Sequence, residues 1–143
     1  FFWTLDGKRQ QYLNIHARES FDGGRTWGEI WDTGIYGQPG QPIDLGDGRI
    51  ATIDIDRSIR PVITVRTSRD RGRTYDEALV IYDSNFNKQD SRNVSMNNAW
   101  YEMSHFSVGH PSLLNLGNGE ILAYYYAGNH YDNTSIEFVK ISV

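Results

Sequence analysis

No cysteine occurs among the 143 residues, which excludes disulfides and thiolate chemistry and leaves either an oxidising or a reducing compartment open. Nor does any apolar run approach the roughly 18 residues that a bilayer crossing requires, so no membrane span is expected. Charge of one sign is scarce as well: fourteen Lys and Arg stand against eighteen Asp and Glu, for a formal net charge of -4 and a pI near 5.5. A basic face for phosphate backbones is missing, and nucleic acid is not an expected partner. No stretch shows helical spacing of apolar residues. No charged-then-apolar leader opens the chain, which starts with Phe1 and Phe2 rather than Met, and the natural start is expected to lie elsewhere.

What is abundant is aromatic: 13% of the residues, with four Trp and nine Tyr. A search for internal similarity organises the rest. Ser20-Phe21-Asp22-Gly23-Gly24-Arg25-Thr26-Trp27 and Ser68-Arg69-Asp70-Arg71-Gly72-Arg73-Thr74-Tyr75 both fit S-x-D-x-G-x-T-aromatic and lie 48 residues apart. A second pair supports the period. Gly40-Gln41-Pro42 runs to Leu45-Gly46-Asp47-Gly48-Arg49-Ile50, and Gly109-His110-Pro111 runs to Leu116-Gly117-Asn118-Gly119-Glu120-Ile121, an offset of 69 that implies a 21-residue insertion. The polar stretch from Ser84 to Ser107 reads as that insertion, one long loop.

Between the markers, residues alternate with period two or form short β-branched and aromatic runs. Strands are predicted at Phe1 to Leu5, Gln10 to Glu19, Glu29 to Ile35, Pro42 to Leu45, Arg49 to Asp56, Val62 to Thr67, Glu77 to Asp83, Pro111 to Leu116, Glu120 to Ala127 and Thr134 to Val143. Repeats of 40 to 50 residues with four antiparallel strands are propeller blades. The fold class is therefore all-β, with about two and a half blades of four-stranded antiparallel sheet. Residues 1–35 form a blade with one motif, 36–83 a blade with the second, 84–108 the inserted loop, and 109–143 the last blade. Since propellers close with about four to eight blades, the expected partners include remaining propeller blades or other copies of the chain.

Each motif residue has a folding task. Asp22 or Asp70 can accept backbone N–H groups, Gly24 or Gly72 can take a positive φ, and Trp27 or Tyr75 can pack between sheets. Calcium is not the expected occupant, because a lone carboxylate among glycines lacks the several oxygen ligands that this ion takes. Asp83-Ser84-Asn85-Phe86-Asn87 with Asp90 has the start of a calcium loop, but Lys88 holds its glycine position and Val94 the place of its closing glutamate. No metal and no cofactor are expected. Asn93-Val94-Ser95 and Asn133-Thr134-Ser135 fit the glycosylation acceptor pattern.

The two motifs at blade spacing resemble the Asp-box repeats of the sialidase or neuraminidase superfamily, over nearly the whole chain, with Thr134 to Val143 as the last strand. The resemblance implies the C-terminal part of a six-bladed propeller with exo-sialidase-like glycosidase activity on a terminal acidic sugar of a glycan. It also implies a secreted or periplasmic protein. The other readings are a non-catalytic carbohydrate-binding propeller and a protein-interaction scaffold using Trp100, Tyr101, Met103 and Phe106.

Strands of a blade alternate in direction, so loops at one end carry the boxes and loops at the other meet at the axis. The second set is Asp6 to Arg9, Tyr36 to Gln41, Asp56 to Arg60, Ser84 to Ser107 and Gly128 to Asn133. Arg9 and Arg57 each lie 11 residues before the serine of their box. By resemblance to the arginine cluster that grips the sialic acid carboxylate, Arg9, Arg57 and Arg60 are candidate substrate-binding residues, with Gln38, Gln41 and His130. The family carries a nucleophilic tyrosine near the start of the last inner strand; His110 stands there in this chain. His110, a candidate acid or base, and Tyr131 are the catalytic candidates, with Tyr101 and Tyr36 able to reach the axis from neighbouring loops. Trp100 and Tyr101 suit stacking on a sugar ring. His16 reads as structural.

Overall fold

The computed structural model describes residues 1–85 and 96–143, except for the side chains of residues 96, 97, 99 and 102. The best-formed unit is a central antiparallel sheet. Its middle strands are β7 (Arg49–Asp56) and β8 (Val62–Ser68), paired through Ile53↔Val65 and flanked outside by β9 (Leu79–Asp83). On the inner edge two short pieces, β5 (Gln38–Pro39) and β6 (Ile43–Gly46), both pair with β7. Alternating β-branched residues explain why β7 and β8 extend: one set faces a core, and the stiff side chains suit a pleated backbone.

A second sheet closes the chain, with β10 (Val108–Gly117), β11 (Glu120–His130) and β12 (Asn133–Ser142) as an antiparallel meander. The two sheets pack face to face. Ala51, Ile53, Ile55, Ile63 and Val65 from the central sheet meet Val108, Leu113, Ile121, Ala123, Tyr125 and Ala127 from the C-terminal one. Tyr125 locks the outer part by an edge contact with Tyr82 at 5.7 Å. At the inner strands the backbones come so close that a Cβ on Gly40 would lie 2.3 Å from the Pro111 carbonyl oxygen and 2.5 Å from Ile53 Cγ2. Asp47-Gly48 and Asn118-Gly119 make the hairpin turns of the two sheets, all four residues at positive φ, as two-residue loops of this composition do.

Residues before Tyr36 form a looser N-terminal region of two two-stranded sheets. β1 (Leu5–Asp6) pairs with β2 (Gln11–Tyr12), β3 (His16–Ala17) pairs with β4 (Trp31–Asp32), and a Phe2–His16 bridge joins them. The predicted strands are present here only as two-residue pieces. Among the described residues no inner strand lies beside them, and a narrow ladder without a third neighbour is marginal. Trp31 ties this region to the central sheet by donating Nε1–H to the Gly72 carbonyl at 2.9 Å, with the Arg73 guanidinium stacked 3.5 Å over its ring.

Strand and antiparallel pairing dominate the described residues, and none of the sheets closes on itself. Two expectations need correction. The inserted loop carries a helix, α1 (Met96–Met103), whose eight residues are too few to show a period. In addition, β5, the start of β10 and the end of β11 take over segments read as loops, leaving only Tyr131 and Asp132 between β11 and β12. The Asp90 calcium-loop reading and the Asn93 acceptor pattern lie outside the described residues.

Replacing Gly40 with Ala should cost about 1–3 kcal/mol of stability, the range for overpacking a filled site. Urea unfolding of Gly40→Ala against Gly7→Ala, whose added Cβ meets nothing within 4 Å, checks this; equal midpoints would contradict the packing described.

Candidate functional site

The register separates the two ends of the molecule. Ser68, first residue of its box, pairs with Ile50 at one end of β7, whereas Asp56, next to Arg57, pairs with Val62 at the other. In the C-terminal sheet Gly117↔Glu120 lies at the box end and Val108↔Ala127 at the arginine end.

The two boxes fold into the same hydrogen-bond network. Asp22 Oδ1 accepts the N–H groups of Arg25 and Thr26 at 2.9 and 2.8 Å, its Oδ2 accepts the Thr26 hydroxyl at 2.6 Å, and the Gly24 N–H reaches the Ser20 hydroxyl at 2.8 Å. Asp70 repeats this with Arg73, Thr74 and the Thr74 hydroxyl at 3.0, 2.8 and 2.7 Å, and the Gly72 N–H with Ser68 at 2.7 Å. Gly24 and Gly72 take φ of 86° and 83°, which only glycine adopts without strain. Donated hydrogen bonds favour the ionised form. The Thr26 hydroxyl and N–H hold Asp22 down at about 2, and the Thr74 N–H and hydroxyl hold Asp70 there too. Each carboxylate is thus used up by its own turn. The aromatic position of the first box departs from expectation: Trp27 is 54% exposed and folds back to donate to the Gly24 carbonyl, because Trp31 occupies the seam between sheets.

At the opposite end lies a cavity of about 310 Å³ between the inner strands. Four candidates from the sequence line it, Gln38, Gln41, Arg57 and His110, together with Met103, Phe106 and Tyr126. Arg57 is the centre. Its Nε and Nη2 donate to the Val108 carbonyl at 3.0 and 2.8 Å, its Nη1 to Gln38 Oε1, and its guanidinium lies 4.1 Å from the Phe106 ring. Tyr126 hydrogen-bonds it as well. Burial pulls the Arg57 pKa down to about 10 while Tyr126 pulls it back up, so the group is a cation at neutral pH. All these partners are neutral, and among the described residues no carboxylate pairs with it.

Gly109 makes the arrangement possible. A Cβ there would meet Arg57 Nη2 at 2.3 Å and the Tyr126 hydroxyl at 2.7 Å. The next residue, His110, has φ 46°, a left-handed conformation that costs a non-glycine residue about 1–2 kcal/mol. It sits in a β-bulge, since β10 passes from Gly109↔Tyr126 to Ser112↔Tyr124 with two residues opposite one. Bulges re-aim side chains; here the imidazole leaves the ladder and lies 5.7 Å from the Tyr126 ring.

Comparison of the chain with protein-family models, with curated proteins and with solved structures found no match. The cavity therefore has to be read from its own groups: one cation held by neutral partners, one imidazole, one phenol and two carboxamides.

The remaining candidates are elsewhere. Arg9 has a side chain 77% exposed, 3.8 Å from Asp6. Its position matches that of Arg57, but the carboxylates differ. Asp54, the counterpart of Asp6, is claimed by Arg66 at 2.5 Å, whereas Arg18, the counterpart of Arg66, turns to the Gly28 carbonyl at 2.8 Å and leaves Asp6 to draw Arg9 aside. Arg60 is drawn to Asp83 on the outer strand. His130 pairs with Asp132 at 2.5 Å and stacks on Tyr131 at 4.2 Å; Tyr131 also meets His105 at 4.8 Å, so the two form a surface cluster rather than cavity lining. Tyr36 is half-buried outside the lining, and His16 bonds the Asn14 carbonyl as a structural residue would. Trp100 and Tyr101 are exposed, while Met103 and Phe106 line the cavity, so the apolar patch expected of these four is split. Sequence reading missed Tyr126. The run Tyr124-Tyr125-Tyr126 held the signal, since alternation sends Tyr125 to the core and its neighbours to the other face.

Because the folded pKa values of Asp22 and Asp70 lie below the ordinary carboxylate value of about 4, their contribution to stability is fully present above that value and lost as pH falls through about 2. Carboxyl chemical shifts followed by NMR should show both titrating near pH 2; midpoints near 4 would contradict the networks.

Proposed function

We propose that the chain is part of a sialidase-like β-propeller that holds a terminal acidic sugar of a glycan by its carboxylate, in the cavity beside Arg57. The observation that carries this reading is a part-buried guanidinium on the cavity wall whose described partners are all neutral. Such a cation is costly to bury and has its strongest interaction in reserve for an anion. The ligand carboxylate would meet the Nη1 edge of Arg57 and the amide NH2 of Gln38, with Gln41 and His110 beside the sugar hydroxyls. Hydrolysis in the sialidase manner uses a carboxylic acid and a nucleophile, and no carboxylate is among the described lining residues. Recognition of the acidic sugar is the function that this reading assigns to the cavity. A secreted or periplasmic location, where glycans are met, fits that role.

The propeller part of the proposal has its own support. Counting from the Asp47-Gly48 and Asn118-Gly119 turns, Ala51, Ile53 and Ile55 correspond to Leu122, Tyr124 and Tyr126. The first three pack on the C-terminal sheet; the second three share the uncovered face of that sheet, where Tyr124 pairs with Phe138 and Tyr126 with Ile136. Phe138 and Ile136 are 71% and 79% exposed. An apolar face at the register position that elsewhere receives a neighbouring sheet is suited to receive another, from further blades or another copy of the chain.

Calorimetric titration with N-acetylneuraminic acid, glucuronic acid and uncharged galactose tests the reading. Binding should be confined to the acidic sugars, weaken at least tenfold in Arg57→Lys and vanish in Arg57→Ala. Equal binding of galactose, or indifference to Arg57, would refute it.

A further inference from the structure

Resting on the proposal that Arg57 holds an acidic sugar, the sign of charge in the cavity also points to what could be done to that sugar. Cleavage of a glycoside at its anomeric carbon develops positive charge on the ring. Among its described lining residues the cavity has no carboxylate to steady that charge. Removal of a proton from the carbon that bears a carboxylate develops negative charge instead, delocalised onto the carboxylate oxygens. A guanidinium already in contact with that carboxylate stabilises it without having to move. The groups beside Arg57 fit the second chemistry. The His110 imidazole and Tyr126 phenol both line the cavity, tilted 44° to each other with ring centroids 5.7 Å apart, close enough together to reach neighbouring atoms of one sugar. No hydrogen bond from the described residues occupies the His110 ring nitrogens. Its left-handed backbone and bulge hold the ring clear of the ladder.

We propose that this cavity cleaves 4-linked uronic acid glycans by β-elimination, with Arg57 binding the uronate carboxylate, His110 as the base and Tyr126 as the acid. Neutral His110 takes the proton from C5, and the electron pair of that C–H bond forms a C4=C5 double bond. The C4–O4 bond breaks, and its electron pair leaves with the O4 of the departing chain, which receives the phenolic proton of Tyr126. The phenolate left behind lies against Arg57, which already hydrogen-bonds that oxygen. Return of the proton from imidazolium to phenolate restores both groups, so the products are a 4,5-unsaturated uronate and a new chain end. No water, oxidant or reductant is consumed. Gly109 lets the acid and the cation share one point, since any side chain there would strike both.

The test is incubation of the protein with polygalacturonate and with a 4-linked glucuronan, following the ultraviolet absorbance of the conjugated double bond and, separately, new reducing ends, beside calorimetric binding of the same glycans. Both signals should rise together. Because general acid–base groups are worth about 10²–10⁴ in rate, His110→Ala and Tyr126→Phe should each lower kcat at least a hundredfold with little change in KM. Arg57→Lys should raise KM as well. Reducing ends without absorbance would mean hydrolysis and overturn the inference, as would unchanged turnover in His110→Ala or Tyr126→Phe. Binding of the glycans with neither signal would overturn it while leaving acidic-sugar recognition standing. Failure to bind any acidic sugar would overturn both.

Discussion

The hydrogen bonds from Arg57 to the Val108 carbonyl are the constraint around which the rest of the molecule is arranged. A guanidinium can leave water only where acceptors are waiting, because an unpaired buried charge costs several kcal/mol. Here the acceptors come from three strands and have to converge. Gln38 is brought by β5 through its pairing with Ile55, Val108 opens β10 opposite Ala127, and Tyr126 stands opposite Gly109. None of those positions is right unless the two sheets pack in one register, which the interdigitated core of Ile53, Ile55, Ile63, Leu113, Ile121 and Tyr125 enforces. Burial of apolar surface decides the registry, and the registry assembles the polar cavity.

Charge is sorted along the strands by the same logic. Carboxylates at the box end are satisfied within their own turns, so Asp22 and Asp70 neither attract arginines from the far end nor offer a site to a cation. Asp54, buried on the face of the central sheet away from the core cluster, is raised in pKa by burial, yet it is met by Arg66 and the Thr64 hydroxyl and makes no demand on Arg57. The chain as a whole is acidic, but among the described residues that line the cavity Arg57 is the one fixed charge. Net charge is therefore a poor guide to what the cavity would attract, and the pairing of each carboxylate is a good one.

The sequence made legible whatever depends on spacing. The 48-residue repeat, the box turns, the long strands of the central and C-terminal sheets and the separation of the two ends all follow from residue type and period, and the fold has them. The candidates that reached the cavity, Gln38, Gln41, Arg57 and His110, sit within a few residues of strand ends, where the pairing fixes them. Those that did not, Arg9, Arg60, His130 and Tyr131, are controlled by the nearest carboxylate or ring instead. Whether Asp6 is already taken, or whether Asp83 lies within reach, depends on which arginine arrives first, and periodicity carries no such information. Tyr126 was hidden for the opposite reason. It lies in a strand that spacing placed correctly, on the face that a core-centred reading passes over, and only the neighbouring Gly109 turns it into part of a site.

A repeat that copied itself faithfully would build no such cavity, because equivalent residues would point at equivalent neighbours. The asymmetry arises at matched positions. Gly40 and Gly109 begin the inner strands of the two sheets, and both tolerate a close approach that any side chain would block. At Gly40 the space admits the Pro111 carbonyl and lets the sheets touch; at Gly109 it admits the guanidinium of Arg57 and the phenol of Tyr126. Gln41 follows the first glycine and His110 the second, one a neutral amide and the other an imidazole forced into a left-handed bulge. The backbone plan is common to both units, and the chemistry is written in the few places where they differ.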